Sequence, residues 1–89
     1  MKFEWDENKN KKNIEKHGID FNDAKEVFKD EKAKKTPDIR RDYGEERFKI
    51  IGVFLGSILS VIYTIRNTAI RIISARRANK KEQEEYNNQ

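Results

Sequence analysis

At 89 residues, 40% of them charged, the chain has room for one domain with a small core, burying about 60 to 65% of the surface its unfolded form exposes. It has no cysteine, which excludes disulfide staples and thiolate metal ligands and suits a reducing compartment, cytoplasm being the default. Lys and Arg outnumber Asp and Glu by 20 to 16, a net charge of +4 that points mildly to an anionic partner, and no stretch approaches the roughly 20 apolar residues of a membrane span.

The opening MKFEWDENKNKKN has no apolar run after Lys2, so a signal peptide is not expected. KFEW alternates apolar Phe3 and Trp5 with Lys2 and Glu4 and predicts a short edge strand. Asp6 then caps a helix over about 7–17, stopped by Gly18. Its one aliphatic residue, Ile14, shares a face with Asn10, Asn13 and His17, an unusually polar inner surface. Asp20 with Asp23 resembles a capping box, and Phe21, Ala24, Val27 and Phe28 recur at helical spacing, so a second helix is predicted over about 21–29. The charge-rich span 29–46 holds the one proline, Pro37, and is predicted to be a mobile loop with a short strand around 39–43. ERFKIIGVFL, ILSVIYTIR and AIRIISA are rich in β-branched and aromatic residues and are separated by Gly56-Ser57 and Asn67-Thr68, each read as a two-residue hairpin loop. Asn79 with Glu82 matches a capping box and starts a last helix over about 80–87. The expected class is α+β in the order β-α-α-β-β-β-α: a small antiparallel sheet packed by two N-terminal helices and a C-terminal helix, one domain over 1–89.

Two-residue loops set the register by counting. Leu55 faces Ile58, Ile51 faces Ile62, Lys49 faces Thr64 and Arg47 faces Arg66; Thr64 also faces Arg71, and Ile62 faces Ile73. One face, including Phe48, Val61, Tyr63 and Ile72, packs on the first two helices. The other splits into an apolar end of Ile51, Val53, Leu55, Ile58, Ile62 and Ile73 and a cationic end of Arg47, Lys49, Thr64, Arg66 and Arg71. Like charges set opposite one another cost up to about 1 kcal/mol per pair. Either a phosphate chain lying across the row offsets this, since guanidinium binds phosphate bidentately, or Glu45, Glu46 or the glutamates of the last helix neutralise it. Residues 66–81 carry Arg66, Arg71, Arg76, Arg77, Lys80 and Lys81 with no acid among them. Arg76 and Arg77 precede the last helix, whose unpaired amides assist anion binding, and are the first choice for phosphate stabilisation.

Other side chains admit two readings. His17, the only histidine, is either a structural cap or an acid–base or nucleic-acid contact. Lys9, Lys12 and Lys16 form a stripe that is either solvated or bound to phosphate. Trp5 is core or a stacking platform. Tyr86 packs back on the sheet or reaches the site.

FEWDENKNKKNIEKHG, FNDAKEVF, DYGEERF and IISARRANKKEQEEY, in that order and covering most of the chain, resemble the BrnT family of type II toxin–antitoxin toxins, which have a RelE-like fold. The resemblance implies a small ribonuclease that suppresses translation, is neutralised by a BrnA-type antitoxin and with it represses its own operon. Operator DNA is then reached only through the antitoxin, and a dimer within the complex is left open. Arg47 matches the arginine of the family's GE-x-R segment and is read as a second electrophile, with Glu46 beside it as base or as ion-pair partner. Lys49, Arg66, Arg71, Lys16 and Tyr86 are the expected RNA-binding residues. Metal-free cleavage uses the neighbouring 2′-hydroxyl as nucleophile, and with no ordered carboxylate cluster in the sequence no metal or other cofactor is expected. Two rival readings use the same features: a nucleic-acid-binding module that cuts nothing, and an interaction domain that docks a partner on the apolar sheet end.

Overall fold

The computed structural model describes Met1–Gln89 and holds five strands and three α-helices: β1 Lys2–Glu4, α1 Glu7–His17, α2 Phe21–Ala24, β2 Lys34–Pro37, β3 Phe48–Phe54, β4 Ser57–Arg66, β5 Ala69–Arg77 and α3 Lys80–Asn87. The class is the expected α+β, but the sheet is larger than expected and mixed. Its order is β1-β5-β4-β3-β2, with β1 parallel to β5 and every other pair antiparallel. The predicted strand at 39–43 is absent, and the strand in this region is Lys34–Pro37 on the edge beside β3. Its proline, which has no N–H for a ladder, is tolerated at the end of an edge strand. The second helix departs from the 21–29 prediction by changing after Ala24 into a tighter 3-10 turn over Lys25–Lys29.

The polar inner face of α1 has a backbone explanation. The Asn13 amide donates to the carbonyls of Ala75 at 2.7 Å and Ile19 at 2.9 Å and accepts from the Ala75 N–H at 3.1 Å. Asn10 accepts from the Phe21 N–H at 2.9 Å and donates to Asp20 at 3.0 Å. β1 covers β5 only at Ala69–Arg71, so Asn13 satisfies backbone groups of β5 that no strand reaches. The main core lies between the sheet and α1, α2 and the 3-10 turn, with Phe21, Val27, Ile50 and Val61 fully buried.

Both hairpins carry register surprises. The first turns at Leu55-Gly56 rather than Gly56-Ser57, with φ of 48° and 77°, the pair of positive values a tight two-residue hairpin requires. The pairing therefore slides by two, to Lys49 with Ile62 and Ile51 with Ser60, and the faces are preserved because side chains alternate with period two. The second keeps the predicted register from Arg66–Ala69 to Tyr63–Ile72, then shifts at a bulge, so that Ile62 pairs with Ser74 rather than Ile73. The extra residue exchanges the faces of β5 beyond it. Ala75 turns into the core, fully buried, and Arg76 sits opposite Ser60 on the outer face.

α3 contacts β3 on that outer face. Ile51 and Ile62 are 1% and 8% exposed, so the apolar end is largely covered, while Leu55 at the hairpin tip is 85% exposed. Close approach governs Gly52: a Cβ there would stand 3.0 Å from Val27 Cβ and 3.1 Å from the Val27 carbonyl. Gly52→Ala is expected to cost about 1–3 kcal/mol by pushing the 3-10 turn off β3, read as a lower denaturant midpoint at unchanged slope.

Candidate functional site

The bulge creates the most heavily bonded side chain of the chain. Glu82, in the first turn of α3, is 3% exposed, and its carboxylate accepts five hydrogen bonds. Arg76 forks onto it through Nη1 at 2.7 Å and Nη2 at 3.1 Å; Lys49 Nζ and Ser60 Oγ each reach Oε2 at 3.1 Å; and the Asn79 N–H closes the capping box at 3.0 Å. Burial alone would push this carboxyl up, but the Arg76 fork, the Asn79 amide and Lys49 outweigh it and bring it down to about 2. Glu82 is thus an anion at neutral pH that holds two cations in place.

A second acid organises the loop after β2. Asp38 accepts from Arg40 Nε at 2.8 Å and Nη2 at 3.0 Å and from the Tyr43 hydroxyl at 3.3 Å, while its own N–H donates to the Arg47 carbonyl at 2.8 Å. The Arg40 hydrogen bonds hold its carboxyl at about 2 against the opposing effect of burial. Arg40, Lys49 and Arg76 line one concavity of about 150 Å³ with Thr36, Pro37, Asp38 and Ile39. Neither fork exhausts its guanidinium: of five N–H groups, each arginine keeps donors for a further oxygen, as does the three-donor lysine. Three cations at one open hollow, with Asp38 in its wall, are a chemical set that could hold an oxyanion.

Carboxylates pair with the rest of the predicted cationic row. Glu45 takes Arg47 at 3.3 Å and Arg66 at 3.2 Å, and Glu4 takes Arg71 at 2.9 Å. Arg47 also lies over the Tyr43 ring, 4.0 Å from its centroid, in a neighbouring concavity that shares Pro37, Asp38 and Ile39 with the first. Glu46 lines that concavity too; its side chain is exposed, and only its carbonyl is engaged, by Thr64 Oγ1 at 2.6 Å.

The other expected site residues are spread out. Arg77 follows Arg76 on a strand and faces the opposite side, opposite Leu59, exposed; its carbonyl accepts from Arg76 Nη1 at 3.2 Å. His17 and Lys16 stand with Lys9, Lys12, Asn13, Ile73 and Ser74 around a separate groove of about 220 Å³. Tyr86 packs back: its hydroxyl donates to Asp30 at 2.5 Å, which raises it to about 12. Trp5 sits edge-on to Phe21, ring centroids 6.1 Å apart, against the core. Arg40 and Asp38 are hidden in a uniformly charged loop, whereas Glu82, expected as a helix cap and among the glutamates of the last helix that neutralise the row, does both. No three His, Cys, Asp or Glu side chains gather closely enough to hold a metal ion, and no helix is long and apolar enough to cross a membrane.

A family model described as "Ribonuclease toxin, BrnT, of type II toxin-antitoxin system" matches residues 5–82. No curated protein gives a match.

Proposed function

The chain belongs to the BrnT family of type II toxin–antitoxin ribonuclease toxins, and on that premise we propose that it cleaves RNA, without a metal, at the concavity shared by Arg40, Lys49 and Arg76. The observation that carries this reading is Glu82 itself: a buried acid far below its ordinary range fixes Lys49 and Arg76 at one hollow before any substrate arrives.

The ribose 2′-oxygen gives its proton to the base and attacks the adjacent phosphorus, the bond to the 5′-oxygen of the next nucleotide breaks, and that oxygen takes a proton from solvent water, leaving a 2′,3′-cyclic phosphate and a 5′-hydroxyl. Charge builds on the non-bridging oxygens, where preorganised donors are worth most. Lys49 and Arg76 supply them, with Arg40 at the rim. Asp38 and Glu82 are poor proton acceptors, being held near 2. The base is Glu46, which like Asp42 lines the adjoining concavity without an ion pair and which stands next to Arg47, the second electrophile. Arg77 and Arg66 serve flanking phosphates. The fold is RelE-like in this reading. In the cell, cleavage suppresses translation in the cytoplasm, a BrnA-type antitoxin neutralises the chain, and the complex represses its operon through the antitoxin's contact with operator DNA.

One experiment tests the reading at both levels. Induced expression of the chain is expected to arrest growth and co-expression of the neighbouring open reading frame to restore it, while the purified protein leaves 2′,3′-cyclic phosphate ends on RNA and keeps doing so in EDTA. Intact RNA after prolonged incubation, with growth unaffected, removes the ribonuclease reading. Loss of cleavage on chelation with recovery on added Mg²⁺ removes the metal-free mechanism.

A further inference from the structure

The groove between α1 and β5 has no part in the chemistry above, yet its lining is almost wholly cationic or polar. Lys9, Lys12 and Lys16 come from one face of α1, with His17 beside them, and Ile73 and Ser74 form the floor. None of the three lysines is in an ion pair, and neither acid of α1, Glu7 or Glu15, lines the groove. The sheet arginines differ: Arg47, Arg66, Arg71 and Arg76 each hold a carboxylate. The groove exists because β1 stops at Glu4, opposite Arg71, and the bulge then carries Ile73 and Ser74 along an edge that no strand pairs, Asn13 bonding the backbone only at Ala75.

The register joins this groove to the concavity. Ser74 and Arg76 are two residues apart on the same face of β5, opposite Ile62 and Ser60, so about 7 Å of strand separates them. That is roughly one nucleotide step along a single strand. We infer that the α1–β5 groove is a second RNA-binding site, holding backbone phosphates of the single strand whose scissile phosphate sits at Arg76 and Lys49. The strand leaves the concavity along β5, passes the Ser74 hydroxyl, and lays its next phosphates against Lys16, Lys12 and Lys9. Contacts of this kind position the strand and carry no sequence information. The inference rests on the ribonuclease reading for its polarity along β5, and on the groove alone for the binding itself.

The test measures binding without cutting, using 2′-O-methyl RNA, whose blocked 2′-oxygen cannot attack. Affinity of the full chain for a sixteen-nucleotide probe is read as a function of salt. Each phosphate contact contributes about 0.7 to the slope of log affinity against log salt for a single strand, so the triple variant Lys9→Gln, Lys12→Gln, Lys16→Gln should lose about 2 from that slope. A charge-matched control, Lys11→Gln, Lys25→Gln, Lys32→Gln, removes the same net charge from residues outside the groove and should lose much less. An equal loss in both triples, or no loss in the first, overturns the site; so does a loss seen with duplex DNA but absent with the RNA probe. Cutting of unmodified RNA is scored separately. A protein that cuts nothing yet shows the slope loss keeps the groove and drops the ribonuclease reading, whereas one that cuts with an unchanged slope drops the groove alone.

Discussion

Lys49→Ala is expected to lower RNA cleavage by about 10²- to 10³-fold while moving the thermal melt little. The rate loss is what removing one preorganised donor from a developing oxyanion costs. The melt should hold because Glu82 keeps the Arg76 fork, the Ser60 hydroxyl and the Asn79 amide after Lys49 leaves, so no buried charge is stranded. Arg76→Ala should show a comparable loss of cleavage together with a lower melt, since it takes two of the five donors from Glu82 at once. Arg77→Ala is the contrast: its side chain is exposed on the other face, its stability effect should stay within about 0.5 kcal/mol, and its rate loss should be far smaller. Losses in Lys49→Ala and Arg76→Ala should not add, because both act on one phosphate. The measurement is initial cleavage rate beside a melt for each variant. Wild-type cleavage by folded Lys49→Ala and Arg76→Ala proteins would move the scissile phosphate elsewhere.

Glu82→Gln is expected to remove about 2–4 kcal/mol of stability at neutral pH. Breaking a buried pair from one side typically costs 3–5 kcal/mol, and here both cations retain some water, with 26% and 37% of their side chains exposed, which reduces the penalty. The pH dependence gives the sign. Glu82 lies at about 2 in the folded protein against 4.5 ordinarily, so its contribution is complete above about pH 4.5 and is lost as pH falls through 2. Asp38, at about 2 against 3.8, loses its contribution in the same acid range in both proteins and so cancels from the comparison. The gap in unfolding free energy between wild type and Glu82→Gln should therefore be widest at neutral pH and close towards pH 2. A gap that does not change with pH would mean that Glu82 stabilises by shape and not by charge.

The strands of the meander were legible because their β-branched runs have no competing reading, and the capping residues Asp6 and Asn79 sit where the spacing placed them. The first loop lies one residue before the position that Gly56-Ser57 suggests, because a glycine marks a turn without saying which of its residues it is. In the structure Gly56 is the second of two positive-φ positions, and Leu55 accepts the first. The bulge was invisible: one inserted residue in AIRIISARR leaves no compositional trace, yet it decides that Arg76 and not Arg77 joins Lys49. β2 was hidden because an edge strand in KKTP carries no apolar alternation. Arg40 was missed for a related reason, since in DIRRDYGEE no charge is distinguishable from its neighbours until Asp38 selects one. Asn10 and Asn13 are legible as polar residues on an inner face, but the β5 partner of Asn13, Ala75, lies 62 positions away along the chain.

That separation has a consequence for how the protein is made. β1 pairs with β5, Asn13 bonds across to Ala75, and the acid that orders Lys49 and Arg76 comes from α3, so each half of the fold waits for the other. Contacts this distant in sequence slow folding, because a long loop must close before they repay its entropy. During synthesis β3 and β4 leave the ribosome first, and Glu82 cannot reach them while still inside it. A nascent chain stalled at that point presents two unclamped cations and no built hollow. The cluster of Glu82, Lys49 and Arg76 is thus completed only once α3 has left the ribosome.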